Sequence, residues 1–320
     1  MAACLDGSAI AELVLCHAAA VADAYEAKVT IVRVLEAPAR SGCAPADPLS
    51  WEVSRLEAGA YLERIAGQVR SGDETVELET RLLEGDPAVQ ACHWIEANGV
   101  DLTVICTHGE KGRTEWPLGS TARKLVEGAR CSLLVVPASA APPAARVRYQ
   151  RILVPMDGSV WSESVLPVAM HLAEAHGAEV VLAHAVPSAE LTRIGPLSPD
   201  DIALGKRLLE RNERVAREYL EHLRARLSAA GLSVRVALAS GESARSELLR
   251  LIAEENPDLI TMSSCGSSAH AETPFGTIAA HLLAYAGKPL LLIRAEQRSQ
   301  RSYRDDHVAA APRFCTQAIM

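Results

Sequence analysis

Two stretches of the chain concentrate residue types that handle phosphate. The first, "THGEKGRTEWPLGST", carries glycines at 109, 112 and 119, cations at Lys111 and Arg113, and hydroxyls at Ser120 and Thr121. It follows an apolar run, Leu102 to Ile105, and leads into a helix-like pattern. Glycine lets backbone N–H groups come close to a ligand, and a helix start offers free N–H donors at the positive end of a dipole. Lys111 and Arg113 add charge-assisted hydrogen bonds to an anion. The second stretch aligns with the first without a gap: "DLTVICTHGEKGRTEWPLGSTARKLVEGARCSLLVVP" (101–137) lies on "DLITMSSCGSSAHAETPFGTIAAHLLAYAGKPLLLIR" (258–294). Gly109 falls on Gly266, Gly119 on Gly276, and Ser120 on Thr277.

The duplication extends further. "CLDGS" (4–8) matches "PMDGS" (155–159), and "LLEGDPA" (82–88) matches "LASGESA" (238–244). A period of about 155 residues is domain-sized, far longer than a solenoid repeat. The sequence therefore predicts a first domain over 1–137, an Ala/Pro linker over 138–149, a second domain over 150–294, and a disordered polar tail over 295–320.

Within the second copy, short apolar runs alternate with helical patterns. "RILVP" (151–155), 179–186, "SVRVALA" (233–239), "DLITMS" (258–263) and "PLLLIR" (289–294) read as strands. Helices are expected over 162–177, from Ser198 to about Gly231, over 244–255 and over 277–286. Ser198-Pro199-Asp200-Asp201 has the makings of a capped helix start. Leu204, Leu208, Val215, Tyr219, Leu223 and Leu227 then form its apolar stripe. Continuous apolar strands between amphipathic helices predict an α/β fold: two tandem doubly wound domains, each an open five-stranded parallel sheet with helices on both faces. The first copy follows the same order, with Leu62, Ile65, Ala66 and Val69 on its long helix. Only "MAACL" precedes its Asp6, so its first strand reads as stunted: frayed at the start, or continued upstream in a longer natural chain.

Composition narrows the function. Apolar residues make up 49% and charged residues 22%, a globular balance, and no apolar run reaches bilayer-spanning length, so no membrane partner is expected. The formal charge of −8 argues against nucleic acid. Eight cysteines lie scattered without CxxC or a His/Cys cluster, as suits reduced thiols in the cytoplasm and no metal site.

In open parallel sheets ligands sit beyond the carboxyl ends of the strands, where the Asp6 and Asp157 turns and both glycine loops belong. A carboxylate repels phosphate and suits ribose or base donors, so a nucleotide uses the whole set. At these residues the sequence resembles the universal stress protein family in its tandem form. Nucleotide-binding members carry Gly-x2-Gly, nine residues, then Gly-Ser/Thr. Here the copies read Cys106-x2-Gly109, nine residues, Gly119-Ser120, and Ser263-x2-Gly266, nine residues, Gly276-Thr277.

The resemblance implies ATP or AMP as ligand, with Mg as an optional companion. Asp6 and Asp157 would face adenine and ribose, with the backbones of Val34 and Ala185 on adenine. Gly109, Gly119, Ser120 and Thr121 would cradle sugar and phosphates in the first half, beside Lys111 and Arg113; Gly266, Gly276 and Thr277 would do so in the second. It also implies an intramolecular pseudo-dimer along Ser132–Val136 and Pro289–Ile293, with a homodimer left open. Cys106 and Ser263 depart from the leading glycine and narrow the approach to the sugar. The second loop has no Lys or Arg and contains Glu272, which ranks the first half ahead as nucleotide site and the second as weak or vestigial.

Other residues carry less. Cys106 and Cys265 read as small core or loop thiols rather than redox sensors, and His108 and His270 as surface polar groups. Ser8 and Ser159 read as turn or cap residues. No general base or arginine set is assembled, so no catalytic residue is expected and ATP hydrolysis is slow at most. The reading is an adenine-nucleotide-binding stress or signalling protein of the cytoplasm, with a protein partner of unknown identity. Its rival is an interaction module that keeps the fold without the nucleotide. An ATP-using transferase or hydrolase would need catalytic residues that the sequence does not offer.

Overall fold

The computed structural model describes residues 1–36, 48–72, 77–109, 118–140, 147–188, 198–266 and 275–294. Lys111, Arg113, His270, Glu272, half of the linker (141–146) and the whole tail lie outside the described residues. The chain forms two compact units, residues 1–148 with 287–320 and residues 149–286.

In the first unit, β1 (Ala2–Leu5), β2 (Val29–Glu36), β3 (Leu78–Gly85), β4 (Leu102–Cys106) and β5 (Ser132–Val136) alternate with α1 (Leu13–Tyr25), α2 (Pro48–Gly72), α3 (Pro87–Ala97) and α4 (Ser120–Gly128). The strand order is β3-β2-β1-β4-β5, and every neighbouring pair is parallel. β4 and β5 are buried at every residue, as their unbroken apolar sequences require of strands covered on both faces. Short as it is, β1 is fully engaged: Ala2 is in register with Thr30 on one side and Thr103 on the other. It is not frayed, because Thr30 N–H donates to the Met1 carbonyl and the terminal amine donates to the Lys28 carbonyl at 2.8 Å.

The second unit repeats the plan with β6 (Arg151–Pro155), β7 (Glu179–Pro187), β8 (Val234–Gly241) and β9 (Leu259–Ser263), in the order β9-β6-β7-β8 and parallel where β6 meets β7 and β9 and where β7 meets β8. Its helices are α5 (Val160–Glu163), α6 (Leu166–His176), α7 (Pro199–Ala229), α8 (Ala244–Glu255) and α9 (Thr277–Tyr285). The last strand, β10 (Leu290–Ile293), belongs by its contacts to the first unit, where it lies antiparallel on β5 with Leu290 opposite Val135. Among the described residues each repeat contributes five strands, yet the compact units hold six and four.

Helix starts follow their capping residues. Asp86 caps α3 by accepting from Ala88 and Val89 N–H, both at 3.0 Å, with Pro87 in the first turn. Ser198 and Asp201 close a capping box on α7.

Two expectations shift. The helix expected over 162–177 breaks at Ser164 and Val165, because Pro167 has no N–H to extend an earlier turn and the Ser164 hydroxyl takes the Trp161 carbonyl at 2.7 Å. The stripe on α7 is buried only in its second half, through Ala216, Leu220, Leu223 and Leu227, while Leu204 and Val215 are exposed. A helix of 31 residues runs about 46 Å and overhangs an eight-residue strand of about 26 Å. Among the described residues, no helix is long and apolar enough to cross a membrane.

Candidate functional site

Between β1 and β4, and between β6 and β9, the chain's crossovers run in opposite directions, which opens a crevice at the strands' carboxyl ends. In the first unit Asp6 follows β1 directly, and its Oδ1 accepts from Ser8 N–H at 3.0 Å and Ser8 Oγ–H at 2.7 Å. In the second, Asp157 holds Ser159 N–H at 3.0 Å and Ser159 Oγ–H at 2.5 Å. Ser8 and Ser159 accept in turn from Ala11 and Ser162 N–H, so both serines are turn and cap residues, as their spacing predicts.

The glycines of the following loop meet these carboxylates. A Cβ on Gly109 would overlap Asp6 Oδ2, and one on Gly266 would stand 2.6 Å from Asp157 Oδ2. Glycine is required at both places for the carboxylate to lie against the loop backbone, a closeness that the sequence suggested for a ligand instead. Each loop is also pinned where its helix begins. Gly119 N–H donates to the Thr107 carbonyl at 2.8 Å, and Gly276 N–H to the Ser264 carbonyl at 2.7 Å. Gly119 and Gly276 are the caps of α4 and α9, and neither helix has a side-chain cap bond. Ser120, Thr121 and Thr277 stand exposed in the first turns.

Around Asp157 the second unit forms a cavity of about 200 Å³. Of the predicted residues, Asp157, Ala185, Ser263, Gly266, Gly276 and Thr277 all line it. The remaining wall is largely apolar, with Met156 and Met262 from the strand ends, Leu248 from α8 and Ile278 from α9. Ser162, Ser264 and His184 add further polar groups, His184 holding the Met156 carbonyl through Nδ1 at 2.6 Å. Sequence reasoning missed His184, Ser162 and the two methionines. The alternation of β7 offered a signal, since His184 is the one polar side chain between Val180 and Val186.

The equivalent residues of the first unit differ. Arg33 stands where His184 stands, with its guanidinium 4.7 Å from the centre of the Tyr61 ring and packed against Gly7. Val34 is half-buried in β2 beside Leu83. His108, expected at the surface, is only 9% exposed, and its Nδ1 shares a 3.1 Å hydrogen bond with the Thr107 hydroxyl. Cys106 is buried, and desolvation pushes its thiol up, away from the reactive thiolate. Burial drives the Cys4 thiol up to about 12. Tyr219, whose hydroxyl donates to Glu163 at 3.0 Å, is raised first by burial and then by that carboxylate.

The sequence model of the Universal stress protein family matches residues 1–137 and again 148–294. A universal stress protein of Methanocaldococcus jannaschii is 32% identical over 133 residues, spanning 41% of this chain and 77% of that protein. Among solved structures, a universal stress protein from Archaeoglobus fulgidus superposes with a TM-score of 0.62 at 18% identity, covering 91% of this chain and 97% of that one. A second solved chain, from Pseudomonas aeruginosa, gives 0.61 at 14% identity, with 92% of each chain covered. At those identities the two structures speak for the fold alone.

Proposed function

The chain belongs to the universal stress protein family, and we propose that it is an adenine-nucleotide-binding member whose occupancy by ATP or AMP alters contacts with a protein partner in the cytoplasm. The observation that carries this reading is the cavity on the second unit. Six residues named for ligand contact from sequence, drawn from three separate parts of the chain, converge on its wall. The cavity combines an apolar face for a base, a carboxylate for sugar hydroxyls, and the start of α9 for a phosphate.

The ranking of the two halves changes accordingly. Preference for the first half rested on Lys111 and Arg113, which lie outside the described residues, whereas the cavity supports the second. For the first half the rival reading, a fold kept without a nucleotide, gains support from the Asp6 carboxylate, which lies even closer to its glycine than Asp157 does to Gly266.

The test is extraction of any nucleotide that copurifies, followed by titration of AMP and ATP into wild type, Gly276→Val and Gly119→Val. The reading expects an adenine nucleotide and loss of one binding event in Gly276→Val. No binding below millimolar concentration in wild type leaves the interaction module.

A further inference from the structure

The lining of the second-unit cavity restricts how much of a nucleotide it can hold favourably. Resting on the nucleotide-binding reading above, we infer that this cavity recognises the nucleoside end of its ligand and gains nothing from phosphates beyond the first. Its ligand class is an adenine nucleoside or nucleoside monophosphate rather than a triphosphate.

Charge is the first support. Among the described lining residues there is no Lys or Arg, and the one carboxylate is Asp157. By sequence alone, the stretch 267–274, "SSAHAETP", contains no Lys or Arg. In the gap-free alignment Lys111 falls on Ser268 and Arg113 on His270, so the second copy has lost both cations that the first copy offers.

What remains to attract an anion is the start of α9. Thr277, Ile278 and Ala279 line the cavity in its first turn, where backbone N–H groups have no intrahelical acceptor. A helix end carries about half a positive charge, and its influence fades within one turn. That serves a single phosphate. A second and third phosphate would bring negative charge near Asp157 with no cation among the described lining residues to meet it, and their desolvation would go uncompensated.

The other walls suit the rest of the ligand. Met156, Met262, Leu248 and Ile278 present apolar surface to an aromatic base, and thioethers make favourable contacts with aromatic rings. Ser162 and Ser263 supply neutral hydroxyls beside the Asp157 carboxylate, which fits uncharged sugar hydroxyls.

Methionine-methyl NMR on the full chain tests this. The sequence has five methionines, and Met156 and Met262 report on the cavity itself, with Met262→Leu used for assignment. Adenosine, AMP and ATP are titrated separately without added Mg. The inference expects adenosine and AMP to move both signals, with AMP binding at least as tightly as adenosine because the start of α9 meets its one phosphate. ATP should be about tenfold weaker than AMP, the effect of one uncompensated charged contact. Asp157→Asn should narrow the gap between AMP and ATP. ATP binding as tightly as AMP, or more tightly, overturns the inference and leaves the nucleotide-binding reading standing. If none of the three compounds moves either signal, both fall together.

Discussion

Asp6 and Asp157 hold the same place in the two repeats, each gripping the serine two residues on and lying against the glycine of a distant loop. Their surroundings have diverged. The first copy sets Arg33 beside its aspartate turn and His17 inside α1; the second has His184 and Val168 there, and a cavity opens around Asp157. The backbone frame was preserved by what it needs to close, namely a serine turn and a glycine without a side chain. The side chains facing the crevice carry no such duty and were free to change.

Substitutions at matched positions sharpen this contrast. Leu62 and Leu220 are equivalent and 3% and 0% exposed, so Leu62→Ala and Leu220→Ala should each cost about 2–5 kcal/mol. Hydrogen exchange, read residue by residue, should show the loss in α2 for one variant and in α7 for the other. Equal loss of protection throughout the chain in both variants would mean that the repeats unfold as one.

Next in size is an acid sensitivity centred on His17 of the first repeat. Burial holds the His17 imidazole down at about 4, below its ordinary 6.5, while Val168 takes the matching place in the second repeat. The unfolded chain then binds a proton more readily than the folded one, so stability is full above 6.5 and falls as the pH drops toward 4. The loss amounts to about 3 kcal/mol. Urea midpoints between pH 7.5 and 4.5 should fall in wild type and fall much less in His17→Val. Parallel curves would remove His17 as the cause.

The helix caps differ more gently. Ser243→Ala removes the hydroxyl that accepts Ser246 N–H at the start of α8 and should cost about 1 kcal/mol. Asp86→Ala, at the N-cap of α3, also loses the Lys124 ion pair, so of the two its effect alone should shrink with added salt. Smallest is Arg33→Ala, which gives up the contact with the Tyr61 ring at about 0.5–1 kcal/mol, measurable by chemical denaturation. At the matching place in the second repeat His184 holds the Met156 carbonyl.

Much of the architecture was legible because it follows from local pattern. The runs of β4, β5 and β9 are apolar at nearly every residue, and Ser198-Pro199 announces its helix. The placement of α7 was less legible: Leu204 and Val215 repeat at helical spacing, yet spacing alone does not say where the underlying sheet ends. The site was readable as a set of positions, since Asp157, Gly266 and Gly276 recur in both copies. His184 and Met262 were not, because a side chain lining a crevice obeys no spacing rule of its own. His108 was misplaced at the surface for a related reason. A polar residue after a strand is exposed by default, and the hydrogen bond with the Thr107 hydroxyl beside it helps to make burial tolerable.

The position of β10 against β5 bears on how the protein is made. A ribosome releases "SLLVV" of β5 roughly 150 residues before "LLLI" of β10, an interval of roughly 10–30 s at ordinary synthesis rates. For that time the nascent first repeat carries an oily, unsatisfied sheet border, a template for sticking to other chains. Premature termination anywhere in the second repeat would make the exposure permanent, so faithful production depends on completing the message or on a chaperone that shields the border meanwhile.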